Sequence, residues 1–219
     1  MCGRYTVTSP ADAARELEAA IDPAAPQSEW WKPRFNVAPT QPAPVVIVKD
    51  HTRVLELMRW GLVPFWGGKP GAKPPLMINA RVESLGAKQV FRDALERKRC
   101  LVPADGFFEW ANKTPLYIHP RERRIVAFAG LWARAKTDAG ELHSFTIITG
   151  KPNELVKPIH DRMPIVLDKS AWAAWLDPAN ADPKSLLGIP AVGDWIAEQV
   201  STRVNKHAND DAECVAPIT

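Results

Sequence analysis

The chain has 219 residues, 46% of them hydrophobic and 24% charged, with a formal net charge of +3. That balance fits a single globular domain over 1–219, because no Gly/Ser-rich or low-complexity stretch divides it. It argues against a membrane role, since no apolar run nears ~18 residues, and so small a charge does not by itself imply nucleic-acid binding.

In chain order, residues 3–8 predict a short strand. Ser9-Pro10 matches an N-cap followed by proline at the first helical position, and residues 11–21 predict a helix with Leu17 and Ile21 on one face. Residues 22–33 form a proline-punctuated loop carrying Trp30 and Trp31. Residues 43–49 and 53–60, separated by Asp50-His51, predict a hairpin. Residues 61–75 hold four prolines and four glycines and read as a long loop, functional or disordered. A helix is predicted over 87–98, then short β-type runs at 100–102, 106–110, 116–119, 125–132 and 142–149. The remainder predicts a helix over 170–176, a short one over 183–187 and a last strand over 199–204. Many short strands joined by turns, with few helices, argue for an α+β fold built mainly on antiparallel sheet.

Chemistry concentrates at the start, Met1-Cys2-Gly3-Arg4-Tyr5. Removal of Met1 would leave a thiol and a free α-amine on Cys2. An α-amine with a pKa near ~8, against ~10.4 for lysine, is more often neutral at physiological pH and is the better amine nucleophile. Were it to condense with an aldehyde, the adjacent thiol could close a five-membered thiazolidine, which neither a lone cysteine nor a lone lysine can do. The competing reading makes Cys2 a small buried hydrophobe at the start of a strand. Three cysteines, Cys2, Cys100 and Cys214, form neither a disulfide framework nor a Cys-x-x-Cys pair, and no secretory or myristoylation signal opens the chain. A reducing cytoplasm is expected. His51, His119, His143, His160 and His207 show no ligand spacing with the cysteines, so no metal is implied, nor any cofactor.

The basic runs 92–99 and 121–124 are interleaved with acids and read as solvated faces. Arg4, Arg81 and Arg162 are more telling, since each stands beside a motif residue. Nine tryptophans among 21 prolines supply flat apolar surfaces, suited to stacking on bases and equally to packing loops.

Six segments join polar side chains to turn-rich backbone. They are Met1-Cys-Gly-Arg4, Arg34-Phe-Asn-Val-Ala-Pro39, Trp60-Gly-Leu-Val-Pro-Phe-Trp66 leading to Asn79-Ala-Arg-Val-Glu83, Pro103-Ala-Asp-Gly-Phe-Phe-Glu-Trp110, His160-Asp-Arg-Met-Pro164 and Val200-Ser-Thr-Arg-Val-Asn205. In this order, over nearly the whole chain, they resemble the SOS-response-associated peptidase (SRAP) family, whose members covalently trap abasic sites in single-stranded DNA. The resemblance implies a barrel-like fold with a few peripheral helices, removal of Met1, and a thiazolidine between Cys2 and the ring-opened sugar aldehyde. It places Asn79, Glu109 and His160 at the family's active-site positions. Opening the sugar and dehydrating the carbinolamine both move protons, work worth about 10²- to 10⁴-fold for a positioned acid or base. His160 is expected to assist ring opening, Glu109 imine formation and its reversal, and Asn79 to orient the amine.

For single-stranded DNA carrying abasic sites, Arg4, Arg81 and Arg162 are the phosphate candidates. Trp66, Trp110 and Pro39 are candidates for stacking or wedging, with Asn36 near the same loop. Phe65-Trp66-Gly67-Gly68 and Gly150-Lys151-Pro152 depart from the family pattern. Each site residue also has a structural reading: Glu109 on a wet strand face, His160 as a core histidine, Asn79 as a turn residue, the tryptophans as core. His160 and Asp161, adjacent on an extended segment, are expected to point apart. The alternative function is a cysteine-nucleophile peptidase or amidohydrolase acting beyond Met1. Weak lyase activity by β-elimination is chemically accessible from the imine. A monomer is expected, cytoplasmic and nucleoid-associated when bound to damaged DNA.

Overall fold

Five strands close into a barrel in the computed structural model, which describes residues 2–66, 76–138, 140–189 and 193–218. In chain order the strands are β1 (Tyr5–Val7), β2 (Ala20–Ile21), β3 (Arg34–Val37), β4 (Pro42–Lys49), β5 (Thr52–Trp60), β6 (Asn79–Arg81), β7 (Arg99–Ala104), β8 (Gly106–Ala111), β9 (Thr114–Pro120), β10 (Val126–Thr137), β11 (Gly140–Gly150), β12 (Met163–Pro164), β13 (Val166–Leu167) and β14 (Trp195–Gln199). The helices are α1 (Pro10–Glu16), α2 (Gln89–Arg97) and α3 (Trp172–Leu176). Antiparallel pairing runs β11-β10-β7-β4-β5, and a parallel seam, Arg59 to Ser144 and Trp60 to Phe145, returns β5 to β11. A second sheet, β14-β9-β8-β1-β3, packs on it.

Side-chain alternation sorts the barrel strands into two apolar layers. Val45, Ile47, Trp60, Cys100, Val102, Phe128, Phe145 and Ile147 join Tyr5, Val7 and Phe107 of the second sheet in one cluster. Their neighbours Val46, Leu101, Ala129 and Ile148 face the helices, meeting Phe91 and Leu95 of α2 and Trp172 and Trp175 of α3. Tyr5 stands edge-on to Trp60 at 5.2 Å and to Phe128 at 6.2 Å between ring centres. Each such fully buried ring contributes roughly 1.5–3 kcal/mol, so the start of the chain is anchored in the core.

A polar network fixes the angle of β1. Asp105 accepts from Thr8 N and Thr8 Oγ1, both at 2.6 Å, and from Thr6 Oγ1, which also meets the Tyr117 hydroxyl at 2.9 Å. At Gly106 a Cβ would lie 2.4 Å from the Tyr117 ring, so only glycine admits this approach.

The α+β barrel with peripheral helices agrees with expectation, as does the 42–60 hairpin. Its turn residues Asp50 and His51 take φ of 45° and 63°, the left-handed pair that matches strand twist. Three local expectations are corrected. The first helix stops at Glu16, because Glu18 turns left-handed at φ 53°, and Ala20–Ile21 instead pairs in parallel with β5. The last strand is Trp195–Gln199 rather than 199–204, since Ser201 caps a 3-10 turn over Thr202–Asn205. β3, hidden within the Arg34-to-Pro39 motif, was not anticipated. Most of the long loop expected over 61–75 lies outside the described residues.

Candidate active site

Cys2 packs into the inner cluster with no exposed surface, in a chain that carries residue 1. Its Sγ donates to the Arg4 carbonyl at 3.6 Å. Burial, and next the carboxylate of Glu109, push the thiol far above its ordinary range. The side-chain amide of Asn79, on β6, donates to the Cys2 carbonyl at 2.8 Å, while its Oδ1 is buried without a hydrogen-bond partner among the described residues. β6 is held in place because the Trp60 indole donates to Ile78 O at 2.8 Å and Asn79 pairs with Ile147 of β11.

Glu109 lies on β8 beside Phe107, and the expected alternation holds. Phe107 faces the inner cluster, whereas Phe108 and Trp110 pack with the C-terminal residues Val200, Val204 and Val215. The Glu109 carboxyl is only 3% exposed, and burial raises its pKa, against the electrostatic pull of the His160 imidazole. Asn79 bonds to Cys2, and Glu109 lies within electrostatic reach of both the Cys2 thiol and His160, so the four residues come together.

At His160 the expectation about Asp161 is corrected. Nδ1 stands 3.0 Å from Asp161 Oδ1 and also 3.0 Å from the donating backbone N of Arg162. The residue ends a turn, with its N–H bonded to Val156 O, so neighbouring side chains need not diverge as on a strand. Nδ1 satisfies the Arg162 amide with a lone pair or Asp161 with a proton, not both. The two arrangements belong to different tautomers of the ring.

The DNA candidates divide. Trp66 is 51% exposed, edge-on to the exposed Phe65 at 4.9 Å, and Arg81 is exposed at the end of β6. Pro39 is half-buried on the turn after β3. Arg4 is half-buried, donating Nη1 to Gly3 O at 2.8 Å, with a buried Nε that has no hydrogen-bond partner among the described residues. Arg162 is mostly covered and grips Glu83 with two nitrogens, at 2.8 and 3.0 Å. Trp110 is half-buried, its indole donating to Asn205 Oδ1 at 2.8 Å. Asn36 departs from expectation. It is fully buried, and its amide donates to the carbonyls of Val204, Lys206 and Asn209, leaving no surface for a base.

Sequence reasoning passed over Thr149. It pairs with both Arg81 of β6 and Pro164 of β12, and its Oγ1 is buried with no hydrogen-bond partner among the described residues. A threonine inside an apolar strand gives no signal until the strands beside it are known. Among the described residues no three His, Cys, Asp or Glu side chains gather as a metal site requires. No helix among them is long and apolar enough to cross a membrane.

Comparisons with known proteins identify the family. The model of the family described as SOS response associated peptidase (SRAP) matches residues 1–207. The abasic site processing protein YoqW of Bacillus subtilis is 42% identical over 98% of this chain and 99% of its own. The abasic site processing protein HMCES of Gallus gallus is 33% identical over 100% of this chain and 78% of its own. A crystal structure of a protein from Bacteroides thetaiotaomicron superposes with a TM-score of 0.87 at 28% identity, covering both chains fully. The chain belongs to the SOS response associated peptidase family.

Proposed function

We propose that the protein captures abasic sites in single-stranded DNA through a thiazolidine formed on Cys2. The carrying observation is the convergence of Cys2, Asn79, Glu109 and His160 from four separate segments of chain. Once Met1 is hydrolysed away, the Cys2 α-amine condenses with the sugar aldehyde, expelling one water to give an imine. The thiol then adds across C=N, sulfur bonding to carbon while its proton passes to nitrogen. Asn79 fixes the Cys2 carbonyl and offers its free Oδ1 to an N–H of the new amine. Glu109, favoured in its protonated form by burial, donates a proton as the carbinolamine loses water. His160 presents an imidazole whose Nδ1 lies within reach of both Asp161 and the Arg162 amide, and it assists opening of the sugar.

Phosphates of the strand fall to Arg4, Arg81 and Arg162, and bases to Trp66, Pro39 and Trp110. Cys2 has no exposed surface while residue 1 is present, so capture requires that loss of Met1 opens the pocket. A broader cysteine peptidase fits less well. Its nucleophile needs a depressed thiol pKa and an adjacent base, whereas this sulfur is pushed upward and bonds to a carbonyl. β-Elimination from the imine adds a weak lyase activity.

Intact mass spectrometry before and after incubation with an abasic oligonucleotide tests the reading. The expected result is a chain lacking Met1 that gains the oligonucleotide mass less one water. Wild-type adduct formation by Cys2→Ala, or release of cleaved peptide from an added substrate without any adduct, overturns it.

A further inference from the structure

The turn that carries Pro39 is held from the far end of the chain. Asp210 Oδ1 accepts from the backbone N–H groups of Phe35 at 2.6 Å and Asn36 at 2.8 Å, and Oδ2 accepts from Arg34 Nε. Arg34 is fully buried and stacks on Trp30 at 4.7 Å. Its other nitrogens donate to Gln41 Oε1 at 2.7 Å and to Pro42 O at 3.3 Å. Gln41 Oε1 also accepts from Ala38 N at 2.9 Å, and Gln41 N returns to Ala38 O at 3.2 Å. That closes the turn, with Pro39 in its second position and Thr40 left-handed at φ 75°. One carboxylate thus fixes a guanidinium, which fixes an amide, which fixes the turn. The same tail reaches Trp110 through Asn205.

We propose that the 204–210 segment is a latch for the DNA-contacting surface, with Asp210 and Asn205 as positioning residues that set how tightly single-stranded DNA is held. Asp210 lies beyond the residues matched by the family model. Its hydrogen bonds reach none of the Cys2 cluster, so the latch governs binding and leaves the chemical step alone. The inference rests on the capture reading for its choice of Pro39 and Trp110 as contacts.

The test compares wild type with Asp210→Asn and Asn205→Ala. Asp210→Asn keeps an acceptor oxygen but weakens the grip on buried Arg34, and it can cost stability. Asn205→Ala buries no charge and removes only the Trp110 partner. Binding to an unmodified single-stranded oligonucleotide is read by anisotropy, adduct formation with an abasic oligonucleotide by its concentration dependence, and intrinsic reactivity by mass shift with glyoxylate. Each variant is expected to raise Kd and the half-saturating concentration about five- to tenfold, at the lower end of what outright loss of a stacked base costs. The maximal rate and the glyoxylate reaction stay at wild-type values. Unchanged Kd in Asn205→Ala overturns the latch even if Asp210→Asn does not fold, and so does a fall in maximal rate with Kd intact. A wild type that binds the strand without forming an adduct overturns capture alone, because Kd still decides the latch. A wild type that does not bind overturns both.

Discussion

Asn79 and Cys2, separated by 77 positions, meet in a 2.8 Å hydrogen bond from side-chain amide to backbone carbonyl. The bond ties Cys2 to β6 through its own peptide unit. On the capture reading it sets the direction in which the Cys2 amine emerges once Met1 is lost.

Asn79→Ala is expected to slow adduct formation about fivefold, since one hydrogen bond contributes ~1 kcal/mol and 1.4 kcal/mol is a factor of ten in rate. Asn79→Asp, which offers an acceptor where the carbonyl needs a donor, is expected to be slower still. Single-turnover gels under denaturing conditions measure both. A wild-type rate in either variant removes Asn79 from the mechanism.

Glu109 links stability to pH. Its folded-state pKa is raised by burial, so its contribution is full below the unfolded value of ~4.3 and is lost as pH rises through the folded value. Glu109→Gln escapes that loss. The variant should therefore melt above wild type at about pH 8 and lose that advantage at about pH 4, while forming adduct more slowly. Melting curves that keep a constant offset across the range count against a buried, proton-favouring carboxyl.

Thiol labelling reports the opening of the pocket. Cys2, Cys100 and Cys214 are all buried in the chain carrying residue 1. Native iodoacetamide treatment should leave that form nearly unlabelled. In the form lacking Met1, alkylation of Cys2 alone should rise at least about tenfold, as expected for a thiol that gains access to solvent. Equal labelling of the two forms contradicts the proposed opening.

Arg162 and Arg81 should each appear in the salt dependence of binding. Replacing either by alanine is expected to reduce the slope of log K against log salt by about 0.7, the value of one phosphate contact on a single strand. Arg162→Ala should cost the fold only ~0.2–1 kcal/mol, because its partner Glu83 is exposed. An unchanged slope means the guanidinium stays with Glu83 when DNA is present.

The barrel strands were legible because alternation and β-branched content mark them, and the Ser9-Pro10 start and the Asp50-His51 turn follow local rules. Glu109 was legible in part, since strand alternation put it beside Phe107. What escaped were relations between distant segments. Asn36 reads as a loop amide in a motif, but Val204, Lys206 and Asn209 supply its acceptors, and nothing near position 36 announces them. Arg162 reads as a free cation until β6 and its following turn bring Glu83 alongside. His160 and Asp161 were misjudged because a strand rule was applied where the backbone makes a turn.

The parallel seam between Arg59–Trp60 and Ser144–Phe145 carries a consequence in time. During synthesis at ~5–20 residues per second, β5 leaves the ribosome well before β11, so the barrel stays open for roughly five to twenty seconds until its closing strand is made. Through that interval Cys2 and its neighbours lie in unfolded chain, accessible to any peptidase. On the capture reading proposed above, processing that depends on the assembled pocket begins only afterwards, on those chains that still carry Met1.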